Sequence, residues 1–378
     1  MLSTMTFQPP NGISIVIPCA GRVTLLENLL VSIQSARSLF PHRAEILLLD
    51  NSKGIEREQI IKLARNYNAQ FIEGSANISV KRNQGVNLSK YNVILFLDSD
   101  CIADPQILIE HYNTHVFSET AGCLGDLIFV GQDTSTWKSV ERTGVLECFH
   151  VQETQQSVQW GPTANISFRK EAFLAVGGFD PSFSTPGGED VDLGFRLDKA
   201  GFSICCNQKA IAFHAKDTWS TFWQVFERFL RYGSADALLI KKHPEHSLYD
   251  FPMVSQYCVM LLIFSLLWLP LKGIVNILLP LIWILLSIVL HTILGLWLEK
   301  DEGASWRIHA EQLVLLTALD FGRLIGAIKH REPRATYERI VFFEQQLSID
   351  WSGVNRSSLV FLLALFIDLL AISILVSI

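Results

Sequence analysis

Val93-Ile-Leu-Phe-Leu-Asp-Ser-Asp100 decides the fold of this chain. Five apolar residues, too few for a helix, run straight into two carboxylates, as a strand buried on both faces does where it leaves a sheet. Working outward, Ile13-Ser-Ile-Val-Ile17, ended by Pro18, reads as a strand of the same kind. So do Glu45 to Leu49, stopped by Asp50-Asn51-Ser52, and the short Gln70-Phe-Ile72. Between them, Leu25 to Leu39, Ile55 to Asn66 and Val80 to Leu88 carry apolar residues at helical spacing. Strand and helix in alternation predict right-handed βαβ units, hence an α/β domain with a mostly parallel sheet. Ligands of such sheets bind beyond the carboxyl ends of the strands. Asp50, Asp98, Asp100 and the Pro18 to Arg22 turn all fall there.

The residue types at that edge suggest a chemistry. Asp98 and Asp100 are spaced i, i+2, so both can face one ligand, and hard carboxylate oxygens suit Mg²⁺ or Mn²⁺ on a diphosphate. Val80-Lys-Arg-Asn-Gln-Gly85 opens a helix with two cations, a setting that suits phosphate. Farther on, Gly187-Gly188-Glu189-Asp190-Val191-Asp192 presents adjacent carboxylates on a glycine turn at a helix start. Acids are favoured there by the helix dipole alone; a general base also needs that kind of placement. Asp190 is the candidate base, with Glu189 its partner or substitute. His214, after Ala210-Ile-Ala-Phe213, is a candidate third metal ligand. His111 and His115 are spaced i, i+4 but lack the glutamate of a HExxH motif, and read as ordinary surface. No Walker A loop, dinucleotide-binding glycine fingerprint or G-x-S-x-G elbow occurs, which disfavours an ATPase, a dehydrogenase or an α/β-hydrolase.

Composition adds a second theme. Of 378 residues, 49% are hydrophobic and only 18% charged, which excludes disorder and disfavours a purely soluble protein. A net charge of −6 argues against nucleic acid as a partner. Seven cysteines without a C-x-x-C pair predict buried thiols in a reducing compartment. The apolar surplus is concentrated in three runs at about 254–271, 274–297 and 359–378. Each is near the ~20 residues that span a bilayer as a helix. Lys300, Arg307, Arg323, Lys329, Arg331, Arg334, Arg339 and Arg356 crowd the stretch between the second and third runs. By the positive-inside rule that loop and the N-terminal domain are cytoplasmic, and no signal peptide precedes them. The expectation is therefore a multi-pass protein of the inner (plasma) membrane in contact with its lipids. Residues 310–328, apolar but carrying Glu311, Asp320 and Arg323, read as an amphipathic helix on the membrane surface. Gly322 and Gly326 within it form a small-xxx-small pair.

In order along the chain, Ser14 to Pro18, Leu48 to Ser52, Lys81 to Gly85, Leu95 to Asp100, Gly161 to Asn165, Gly177-Gly-Phe-Asp180 and Gly188 to Leu193 resemble the family 2 glycosyltransferases. The catalytic domain of that family is called GT-A. The resemblance covers about residues 13–215 and divides the chain into a tail (1–12), a GT-A domain (13–250) and a membrane domain (251–378). It implies that Pro18, Ala20, Arg22 and Asp50 hold the nucleotide, with Arg82 near the diphosphate and Asp98 facing the nucleotide. It also implies that Asp100 and His214 bind the metal, that Gly161 and Asn165 border the sugar and acceptor, and that Asp190 deprotonates the acceptor hydroxyl. The donor would be a nucleoside-diphosphate sugar, UDP favoured by analogy, and transfer would invert the anomeric centre. The acceptor could be a lipid, a glycan or a small molecule. The Q-x-x-R-W of processive synthases is absent: Gln224 and Arg228 are four apart and Phe229 follows. Arg228 to Gly233 and the residues up to Pro244 are instead similar to glycosyltransferases of the mycofactocin-maturation type.

Two other readings compete. A nucleotidyltransferase would share the sheet and acidic pair but needs a glycine- and basic-rich loop after the first strand, and Pro18-Cys-Ala-Gly-Arg22 has one residue of each kind. A non-catalytic membrane scaffold with this fold would be expected to have lost acidic residues that are all present here.

Overall fold

The structure, a computed structural model, describes residues 6–249 and 305–342 together with positions 289, 293, 366 and 370. The chain forms two compact units, one of Met1–Gln132 with Leu146–Thr218, the other of Asp133–Val145 with Trp219–Ile378. The span read from sequence as one domain, 13–250, thus contains the division between them.

The first unit is built on β1 (Ile13–Cys19), β2 (Ala44–Asp50), β3 (Gln70–Glu73), β4 (Val93–Leu97), β5 (Cys101–Ala103), β6 (Gly122–Val130), β7 (Ser157–Val158), β8 (Asn165–Arg169) and β9 (Ile204–Ala215). They form one nine-stranded sheet in the order β3-β2-β1-β4-β8-β6-β9-β5, with β7 added to β9. β3, β2, β1 and β4 are parallel, as their alternation with α1 (Val23–Leu39), α2 (Gly54–Asn66) and α3 (Ile78–Leu88) requires. β8 runs antiparallel to β4 and to β6, and β6 is again parallel to β9. On one face Ile13, Ile15, Ile17, Leu48 and Leu95 pack with Leu26, Leu29 and Leu30 of α1. On the other, Phe96 meets Phe168, Phe173 and Phe179 at ring separations of 5.5–6.3 Å. Burial on both faces explains why β1, β2 and β4 are mostly apolar rather than alternating.

The half of the sheet beyond β4 is different. Asn165, Ser167 and Arg169 of β8 are polar yet buried, and so are His111 and His115 of α4 (Ile107–Phe117), which covers them. The reading of the two histidines as ordinary surface is therefore corrected. Ser167 Oγ lies 2.9 Å from His111 Nδ1 and 2.8 Å from His115 Nε2. Burial lowers both imidazoles, His111 to about 4 and His115 to about 3, so they sit neutral inside the fold. Arg169 spends its guanidinium on the carbonyls of Thr120, His115 and Gln8. Apart from His115 Nδ1, these polar groups are hydrogen-bonded, which makes their burial tolerable.

In the second unit, α8 (Phe222–Lys242) packs on the helix we label α9 (Trp306–His330), beside α5 (Ser135–Glu141) and a two-stranded ladder of β10 (Ser247–Tyr249) and β11 (Glu338–Ile340). The helices cross at glycines: a Cβ on Gly322 would lie 2.2 Å from Leu230 O, and one on Gly233 would lie 1.9 Å from Leu319 O. The small-xxx-small pair thus serves a crossing within the chain. The charges of the 310–328 segment are also used here: Arg323 Nε donates to Asp236 at 3.0 Å and its Nη1 to Asp320 at 3.1 Å, while Glu311 accepts from Arg307. Of these contacts, Arg323–Asp236 joins α9 to α8, and the other two lie within α9. Gly322→Val should cost about 1–3 kcal/mol of stability by overpacking, seen as a lower denaturation midpoint. An unchanged midpoint would show that the crossing is slack.

The three apolar runs at 254–271, 274–297 and 359–378 lie outside the described residues, apart from four helical positions. Those four, Val289, Ile293, Phe366 and Leu370, expose their side chains. Among the described residues no helix is long and apolar enough to cross a membrane.

Candidate active site

The carboxyl ends of β1, β2 and β4 lie side by side, since Cys19 pairs with Asp50 and Val16 with both Leu47 and Phe96. Asp50 is fully buried and accepts from the Ser52 hydroxyl at 2.7 Å and the Ser52 amide at 3.1 Å. Ser52 Oγ in turn accepts from Gly21 N at 2.6 Å, which ties the loop after β2 to the loop after β1. Lys81 of α3 fastens the same two loops by donating to Cys19 O at 2.8 Å and to Asn51 Oδ1. Burial lowers the Lys81 ammonium below its usual range. Pro18 lies inside β1 with its ring buried, so the turn proper begins at the exposed Ala20.

Asp98 and Asp100 follow β4. Asp100 is 6% exposed; its Oδ2 accepts from Arg22 Nη1 at 2.8 Å, and its Oδ1 lies 3.5 Å from His214 Nε2. β5 brings the two together, because Cys101 is the ladder partner of His214. Asp100, Cys101 and His214 form a cluster whose ligand atoms lie within 4.8 Å of one another. Of these, Cys101 donates its thiol to Ala164 O, and burial, helped by Asp100, pushes it well above its usual range. A protonated thiol is a poor ligand. The carboxylate and the imidazole remain, an oxygen and a nitrogen donor that fit Mg²⁺ or Mn²⁺ with water and phosphate oxygens completing the shell.

Arg82 links this cluster to the glycine turn. Its guanidinium, almost wholly buried, donates through Nη1 to Glu189 Oε1 at 2.5 Å and lies 3.5 Å from Asp98 Oδ1 through Nη2, above the Phe179 ring. Burial alone disfavours the cation, but Glu189 and Asp98 outweigh it and raise Arg82 above its ordinary value. Glu189 also accepts from Gly187 N at 2.6 Å, and so closes its own turn. Gly188, at φ 88°, supplies the left-handed backbone that starts α7 (Glu189–Lys199). The loop is stitched to α3: Asn83 exchanges two hydrogen bonds with Phe179, and Ser79 donates to Phe183 O. Asp190, next to Glu189, is only half-buried. Burial first, then the Glu189 charge, pushes its carboxyl up to about 7.

Over residues 9–235 the sequence matches the family described as glycosyltransferase like family 2. The chain belongs to this family. Among curated members, a pre-mycofactocin glycosyltransferase of Mycobacterium tuberculosis is 24% identical over 249 residues, 63% of this chain and 50% of that protein. Validoxylamine A glucosyltransferase of Streptomyces hygroscopicus is 22% identical over 227 residues, 52% of this chain and 54% of its own. Chondroitin synthase of Escherichia coli is 22% identical over 239 residues, 54% of this chain and 34% of the synthase. The chain thus spans about half or less of the relatives it matches. In solved structures, the mannosyltransferase PcManGT of Pyrobaculum calidifontis, held with GDP-Man and Mn²⁺, aligns at a TM-score of 0.52 and 12% identity. The alignment covers 84% of this chain and 88% of that one, and supports the α/β GT-A-like fold.

Within this family 2 domain, Asp50, Asp98, Asp100, Arg22, Arg82, Glu189 and His214 form one connected edge. Asn165 does not join it. Its amide is fully buried and fully used, by His111 Nε2 at 2.9 Å and by the carbonyls of Asp126 and Ala210 at 2.7 Å. Gly161 is buried too: a Cβ there would meet Leu124 at 2.6 Å. Three contributors escaped the sequence reading. Ser52 was within a motif already singled out, and Lys81, read as a cation for phosphate, also fastens two loops. Cys101 gave no signal, and Cys148 none either. Burial, then the Asp190 charge, pushes the Cys148 thiol up.

Proposed function

We propose that this chain transfers a sugar from a nucleoside-diphosphate sugar to an acceptor hydroxyl, with inversion at the anomeric carbon and without processive chain growth. The convergence of Asp100 and His214 at the sheet edge that also carries Asp50 and, through Arg82, the Glu189–Asp190 turn supports this reading most directly. In it, Asp50 and the loop from Ala20 to Arg22 receive the nucleotide, and Asp98 faces the same ligand. Asp100 and His214 would hold Mg²⁺ or Mn²⁺, which supplies positive charge at the diphosphate leaving group. Asp190 takes the acceptor proton, as a carboxyl poised near neutrality can. Direct displacement needs one base and no second carboxylate as nucleophile.

UDP is the first donor nucleotide to test and GDP the second, because the solved neighbour holds GDP-Man. We place the chain at the inner membrane with this unit on the cytoplasmic side and a lipid, or lipid-linked, acceptor. The three apolar runs support that placement, as do the exposed Val289, Ile293, Phe366 and Leu370 and the outward Trp306 and Ile328 of α9.

A panel of UDP-, GDP- and dTDP-sugars with Mn²⁺ or Mg²⁺ tests the reaction class by nucleoside-diphosphate release and by calorimetric binding. Asp100→Ala should weaken metal-dependent donor binding about tenfold or more, since one of two protein ligands to the ion is lost. Affinity unchanged in the variant, or indifferent to EDTA in the native protein, would remove Asp100 from the metal site.

A further inference from the structure

Away from the site, the start of the β6–β9 ladder holds three cysteines whose chemistry the transfer reaction does not use. Cys123 of β6 and Cys205 of β9 are register partners in a parallel pair, so their side chains lie on the same face of adjacent strands. Each thiol shifts the other's ionisation, Cys123 lowering Cys205 and Cys205 raising Cys123. The Cys205 thiol donates to Gly122 O at 3.6 Å, and Cys205 N donates to Thr120 Oγ1 at 3.3 Å. Cys123 is buried; Cys205 is partly open to solvent. All six described cysteines are free thiols.

We propose that Cys205 and Cys123 are an oxidation site, a reversible dithiol in which Cys205 is the attacking sulfur and Cys123 the resolving one. Neighbouring strands bring Cα atoms within the separation a disulfide bridges. Cys205 is the more open of the two to solvent, and its neighbour Cys123 lowers its thiol below the usual range although burial opposes this. The other described cysteines differ. Burial pushes Cys19 and Cys206 up to about 12 and raises Cys101 and Cys148 as well, while Cys205 first and burial second raise Cys123. Cys206 follows Cys205 directly but points to the opposite face of β9.

A hydroperoxide supplies the oxidant. The Cys205 thiolate attacks its distal oxygen, the O–O bond breaks, and the alkoxide or hydroxide released leaves protonated as alcohol or water. Cys205 is then a sulfenic acid. The Cys123 thiol attacks that sulfur, the S–S bond forms, the S–O bond breaks and water departs with the thiol proton. In total two thiols and one hydroperoxide give a disulfide, one alcohol or water, and one water. A thiol reductant reverses the bond, as a reducing compartment demands of a transient disulfide.

The test treats the full chain with hydrogen peroxide, blocks remaining thiols with iodoacetamide and maps peptides by mass. The expected result is a Cys123–Cys205 link that dithiothreitol removes, and in Cys123→Ala a Cys205 sulfenic acid trapped by dimedone. A link joining Cys205 to Cys206, or Cys205 left as open to alkylation after peroxide as before, would overturn the proposal. If Cys123→Ala does not fold, labelling rates in the native chain decide. Cys205 should react about tenfold or more faster than Cys206 at neutral pH, and equal rates would sink the assignment.

Discussion

Asp190→Asn is expected to cut turnover by a factor on the order of 10² or more while leaving donor affinity intact, as loss of a general base does. The amide keeps the shape at the head of α7 and still accepts from Val191 N, as the carboxylate does at 3.0 Å. It cannot take a proton. The native enzyme offers a second, independent reading of the same residue. A base acts ionised, and Asp190 is held at about 7, so turnover should rise with pH through about 7 and level off above it. Glu189→Gln removes the anionic neighbour that helps raise Asp190, so the acid limb should move to lower pH. Steady-state kinetics across a pH series checks both. Activity retained in Asp190→Asn, with its acid limb unmoved, would transfer the role elsewhere in the turn.

The sequence showed the parallel half of the sheet because physics there is one-sided. β1, β2 and β4 are buried on both faces over most of their length, so their residues are apolar apart from Ser14 and Glu45, which bond each other at the start of β1 and β2, and every one of them ends in a visible acid or turn. Residue for residue, Val93–Leu97 is the strand read from the chain. The antiparallel half was not legible. β8 alternates Asn165, Ser167 and Arg169 with apolar residues, which reads as one face to water, whereas α4 covers that face and meets the polar groups with His111 and His115. A helix i, i+4 histidine pair gave no hint that its partners lay more than fifty residues away. The site followed the same rule. Carboxylates at strand ends announced themselves, while the bonds by which Asn165 holds β8 to its neighbours have no local signature. Cys101 was hidden for a different reason: its closeness to His214 is a fact of the β5–β9 register, which no local pattern encodes.

Arg82→Met should cost about 3–5 kcal/mol of folding stability, because it leaves the carboxylate of Glu189, 2% exposed, in the interior without its cation. Few substitutions in the described part of the chain should cost more. Methionine fills much of the space over the Phe179 ring, so the loss isolates charge rather than packing. Urea unfolding measures it. The double variant Arg82→Met with Glu189→Gln provides the control, since removing both members of a buried pair is far less disruptive than removing one. It should recover most of the loss; a double variant as unstable as the single one would assign the effect to packing. The single variant, where it folds, carries a kinetic consequence as well. Arg82 is among the groups that hold the Asp190 carboxyl down, against burial and Glu189. Without it that carboxyl rises further, and the acid limb of turnover should shift to higher pH, opposite to the shift in Glu189→Gln. Opposed shifts from the two halves of one ion pair are what a pair that sets the base requires, and a purely structural pair would move neither.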